Sequence, residues 1–90
     1  MRVLSTPRFD RDIKRLTKPQ KEALNNSIRI LIKTPLIGEL KKGDLQGVRV
    51  HKFRSQSQQV LLAYAANTIE NVIILLAYGT HENFYRDFKR

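Results

Sequence analysis

Apolar residues change their spacing along this chain, and each change marks an element. RVLS at 2–5 reads as a short strand closed by Ser5-Thr6-Pro7. Thr6 is suited to cap a helix by accepting a first-turn amide, and Pro7 fits the first helical position because its missing N–H would be unpaired there anyway. Phe9, Ile13 and Leu16 then recur at i, i+4 and i+7, which predicts a short amphipathic helix with Arg8, Asp10, Arg11, Asp12, Lys14 and Arg15 toward water. Thr17-Lys18-Pro19-Gln20 has the form of a capping box, so a second helix follows at once, with Leu24, Ile28, Leu31 and Ile32 as its stripe and Pro35 as its stop. So short a connection predicts an antiparallel helical hairpin.

From 35 to 47 the segment PLIGELKKGDLQG has no sustained period and reads as a loop anchored by Leu40 and Leu45. After it the period becomes two. VRVHKF (48–53), QVLLAYA (59–65) and NVIILLAYG (71–79) are strand-like, separated by breaks short enough for antiparallel hairpins. The second and third runs are apolar at nearly every position, as expected of central strands covered on both faces. The predicted fold is therefore α+β, one domain over 1–90: an N-terminal strand, a helical hairpin packed on one face of an antiparallel sheet of about four strands, and a short C-terminal helical tail.

Charge narrows the partners. Seventeen Lys and Arg against eight Asp and Glu give +9, a field that draws polyanions, so nucleic acid or an acidic protein is the expected partner. The absence of cysteine excludes a disulfide framework, thiolate metal sites and a thiol nucleophile. The first residues lack the apolar core of a signal peptide, and VIILLAY at 72–78 is too short to span a bilayer, so the expected location is the cytoplasm.

Two cationic clusters remain once the core positions are removed: Arg49, His51, Lys52 and Arg54 on the first long strand, and His81, Tyr85 and Arg86 in the tail GTHENFYRDFKR. Each residue taken singly is an ordinary surface group. In a meander the first and third strands run in the same direction, which brings Arg54 and His81 to one end of the sheet. Histidines, a tyrosine and cations suit cleavage of RNA by its own 2′-hydroxyl, which needs a base, an acid and positive charge around the phosphorane-like transition state, and no metal or other cofactor. Asp44, Glu70 and Glu82 have no second acid at suggestive spacing, and there is no glycine-rich phosphate loop and no GxSxG. Tyr64, Tyr78, Phe84 and Phe88 read as packing residues.

The order of elements, with FDRDIKRL, LIKTPLIG, LLAY and GTHENFYRD, resembles the RelE/ParE superfamily of type II toxins across nearly the whole chain. The resemblance implies a cognate antitoxin and one of two activities. RelE-like members are mRNA interferases acting in the ribosomal A site without metal; ParE-like members poison DNA gyrase. Carried over by position, it makes His81, Tyr85, Lys52 and Arg54 the expected catalytic residues and Arg49, His51 and Arg86 the expected RNA-binding ones. His81 stands where RelE-like toxins place a catalytic Arg or His after the last strand, and H-x-x-x-[F/Y] is similar to the ending of the YafQ branch. The sequence departs from the pattern three residues before Tyr64, where RelE has an arginine and this chain has Leu61. Either the missing cation comes from Arg49, Arg54 or Arg86, or the activity is weak, different or lost. A non-catalytic RNA- or ribosome-binding module is the third possibility, in which +9 supplies the affinity and the histidines do nothing.

Overall fold

The structure is a computed structural model and describes residues 1–41 and 47–81. Along the chain run β1 (Arg2–Ser5), α1 (Pro7–Asp12), α2 (Lys18–Lys33), β2 (Glu39–Leu40), β3 (Arg49–Ser55), β4 (Gln58–Asn67) and β5 (Val72–Thr80). The five strands form one sheet in the order β1-β5-β4-β3-β2. The α+β arrangement expected from the periodicity is present with two additions. A two-residue strand, β2, lies inside the presumed loop, and β1 pairs parallel to β5, so the sheet is mixed. Leu40 belongs to β2 and is 52% exposed, so it is not the core anchor expected of it; Leu45 and the tail, with Phe84 and Phe88, lie outside the described residues.

Local chemistry explains the helix ends. The Thr6 hydroxyl accepts from the Phe9 amide, and the Thr17 and Gln20 side chains satisfy each other's backbone N–H groups in the predicted capping box. α1 ends at Asp12, earlier than its apolar spacing suggested. From Lys14 on, the amides bond three residues back, Lys14 to Arg11 and Leu16 to Ile13, a tightening that leaves Thr17 extended and able to cap α2. Ile13 and Leu16 still reach the core.

Both faces of the sheet are apolar at its centre, and residues 60–64 of β4 are all buried. Phe9, Leu24, Leu31, Leu62, Tyr64, Ile73 and Leu75 form the core under the helices; Val50, Leu61, Ala63 and Ala77 form a second cluster on the far face. A bulge in β5 sets which residues go where. Ala63 pairs with Ala77 and Tyr64 with Leu75, leaving Leu76 without an opposite residue. Ile73 and Leu75 therefore face the helices before the bulge, whereas beyond it Tyr78 does so and Ala77 turns to the far side.

One lattice pins the connection after α2 to the sheet. The Tyr64 hydroxyl accepts from the Gly38 amide at 2.8 Å and donates to the Pro35 carbonyl at 2.7 Å. Arg49, opposite Tyr64 across the strands, donates to the carbonyls of Leu36 and Gly38. A side chain at position 38 would meet that hydroxyl at 2.6 Å, which is why glycine stands there.

Candidate functional site

Alternation along β3 divides its polar residues between two environments. Val50 belongs to the far-face cluster, so Lys52 and Arg54, in phase with it, also stand on the far face, and both are exposed. Arg49 and His51 are out of phase with them and stand on the helix side. Cross-strand pairing then defines two rows on the far face: Lys52, Leu61 and Gly79 in one, Arg54 and Gln59 in the next. β5 ends at Thr80, which pairs with Val60 beside Gln59, and exposed His81 follows immediately. Of the two predicted clusters, Arg54 and His81 thus lie toward the same end of the sheet. β4 separates them, which sets their backbones about 10 Å apart, two strand spacings.

The floor between them is Leu61, completely buried. It occupies the position where an arginine was expected by resemblance, so positive charge enters this region from its flanks. Arg54 is partly committed to the hairpin turn, donating from Nη1 to the Ser57 carbonyl at 3.1 Å. Glu39, paired with Val50 and so on the far face, has its carboxyl lowered from the ordinary value first by the hydrogen bond from Lys41, then by the Lys41 charge, with a smaller contribution from Lys52. Gln59, passed over in the sequence, shares Arg54's row; the two-residue phase from buried Leu61 would have found it.

His51 lies with Leu62 and Tyr78 in a row on the helix side, its ring stacked on Phe53 with 5.8 Å between centroids. Its Nε2 is buried without a hydrogen-bond partner, and desolvation lowers its pKa. Arg49 is engaged with the loop carbonyls described above. These two residues are thus separated from Lys52 and Arg54 by the thickness of the sheet. Tyr85 and Arg86 lie outside the described residues. Among the described residues no three His, Asp or Glu side chains gather as metal ligands would, and no helix is long and apolar enough to cross a membrane.

The family profile described as ParE-like toxin of type II bacterial toxin-antitoxin system matches residues 3–89. The chain belongs to this toxin family. Solved structures agree with the assignment at the level of fold. The YoeB/ParE toxin from Agrobacterium tumefaciens superposes with a TM-score of 0.73 at 22% identity, over 90% of this chain and 99% of that one. RelE in the intact Escherichia coli RelBE toxin-antitoxin complex gives 0.71 at 18% identity, over 88% and 94%. The isolated E. coli RelE toxin gives 0.68 at 17% identity, over 99% and 96%. No curated protein matches the sequence significantly. The protein is therefore a type II toxin of the RelE/ParE superfamily with the RelE fold.

Proposed function

We propose that this toxin is a ribosome-dependent mRNA endonuclease that works without a metal. In the reaction the RNA 2′-hydroxyl loses its proton to a base, its oxygen bonds to the adjacent phosphorus, and the 5′ oxygen leaves as it takes a proton from an acid, giving a 2′,3′-cyclic phosphate. His81 and Tyr85 serve as the proton-transfer groups, and Lys52 and Arg54 neutralise the equatorial oxygens as charge builds on them. Arg86 extends the contact to the RNA backbone. Arg49 and His51, on the helix side, contribute through the packing beneath the sheet. What carries this reading is the return of β5 alongside β4, so that His81 follows the strand residue paired next to the Arg54–Gln59 row. A cognate antitoxin is the expected regulator, as in the solved E. coli RelBE complex, and acidic segments of such a partner would be drawn to a chain of net charge +9.

The test is to translate a reporter mRNA with the purified toxin and map new 5′ ends. Cleavage by the intact protein, reduced on the order of 10²-fold or more in His81→Ala and in Tyr85→Ala, is the expected result. No new ends, or equal cleavage by the variants, overturns it.

Leu61 favours a second reading. Its buried side chain supplies no charge where RelE-like toxins hold an arginine, which fits inhibition of DNA gyrase by protein contact. A gyrase supercoiling assay separates the two: inhibition that survives His81→Ala, with no mRNA cleavage, selects gyrase.

A further inference from the structure

Beyond Leu75, no strand among the described residues lies on the β1 side of β5, because the parallel pairing stops at Ser5 opposite Leu75. Helix α1 takes over that edge. At one end the Thr6 hydroxyl, while accepting from the Phe9 amide, donates to the Leu76 carbonyl at 3.0 Å, at the bulge itself. At the other end the Asp12 carboxylate accepts the Tyr78 amide at 3.0 Å, with Arg8 Nε 3.8 Å from the same oxygen. Asp12 thus stands in for the carbonyl of a missing neighbouring strand, three residues before His81. On the opposite side the residues 78–80 are paired to Leu62, Leu61 and Val60. That carboxylate holds β5 at Tyr78 from the side opposite β4.

We propose that Asp12 is a positioning residue for the site: by holding the Tyr78 amide it fixes where β5 ends and therefore where His81 stands relative to Lys52 and Arg54. Its weight in catalysis rests on the nuclease reading above; its effect on His81 does not. The bond is charge-assisted and part-buried, so its loss leaves the Tyr78 amide without that acceptor two residues before β5 ends.

The experiment uses the full chain as wild type, Asp12→Ala and Asp12→Asn. Amide exchange by NMR should quicken roughly tenfold or more at 78–80 in Asp12→Ala, while α2 and the middle of β4 keep their protection. The His81 imidazole signals should shift. Asp12→Asn, which retains an acceptor oxygen, should restore both. In the translation assay Asp12→Ala should lower kcat on the order of 10²-fold with little change in KM, since a displacement of about 1 Å is enough. Unchanged exchange at Tyr78, unmoved His81 signals, or a uniform loss of protection throughout the molecule would each overturn the positioning role. If Tyr78 and His81 respond as stated but the wild type cuts no mRNA, the clamp stands and the nuclease reading falls.

Discussion

Removing a single oxygen, by Tyr64→Phe, tests whether the connection after α2 is held by the lattice described above. Tyr64 is completely buried, and its hydroxyl makes two short bonds, from the Gly38 amide and to the Pro35 carbonyl. Each bond contributes about 1 kcal/mol net, and a buried amide or carbonyl left without a partner costs a further ~1–3 kcal/mol. Gly38 is buried and Pro35 half-buried, so water reaches the vacated site only from the Pro35 side, and the combined loss should be roughly 2–4 kcal/mol. In a domain of about this size each kcal/mol moves the midpoint by roughly 4–8 °C, so Tm should fall by about 10–25 °C. Thermal and urea unfolding followed by circular dichroism measure this directly. Arg49 still binds the Leu36 and Gly38 carbonyls in the variant, so the native sheet should survive at low temperature. Gly38→Ala attacks the same contact from the other side by driving a methyl group into the Tyr64 hydroxyl, and its effect should be strongly non-additive with that of Tyr64→Phe. A Tm change of less than about 4 °C in Tyr64→Phe would refute the view that this hydroxyl secures the loop.

Three other outcomes are expected. Gln56 and Ser57 both have positive φ, 54° and 66°, in the two-residue turn between β3 and β4, so replacing them with Asn-Gly should raise stability by about 1–2 kcal/mol in denaturant titrations. Burial lowers the His51 pKa from its ordinary value of 6.5, so the unfolded chain takes up the proton more readily; the stability from neutral His51 is present above that value and is lost as pH falls through the lowered one, and His51→Phe should flatten the fall of Tm between pH 7 and 5. If Lys52 and Arg54 meet phosphate, Lys52→Ala and Arg54→Ala should each weaken binding to single-stranded RNA and reduce the slope of log affinity against log salt by about 0.7, measured by fluorescence anisotropy.

Much of the fold could be read from local chemistry. Thr6-Pro7 and Thr17–Gln20 mark helix starts wherever they lie in space, and the breaks at 55–58 and 67–71 are short enough to force the β3-β4-β5 meander. Which side of the sheet each residue takes was harder to read. In VIILLAY every position is apolar, so periodicity carries no phase, and nothing marks Leu76 as the bulged residue. β1 gives no sign that its partner is β5 in parallel, because that pairing depends on a neighbour about seventy residues away. The pairing of His51 with Leu62 and of Lys52 with Leu61 depends on the turn at Gln56-Ser57, whose residues are not those usually chosen for it. At the site, the approach of His81 to the Arg54 end follows from topology and was anticipated. Asp12's grip on β5 was hidden, since on a helical wheel it is one more solvent-facing charge.

The unmatched Leu76 makes residue count, rather than residue identity, the variable that assigns sides in the last strand. Were Leu76 itself paired with Ala63, the strand would run on without interruption, yet Tyr78 would fall opposite Leu61 on the far face and Gly79 would turn away from Lys52. A one-residue slip of the pairing here is thus a coarse switch that point substitutions cannot imitate. Relatives whose last strands differ by one residue in length should be compared by the face each residue occupies before any of their charged residues are equated.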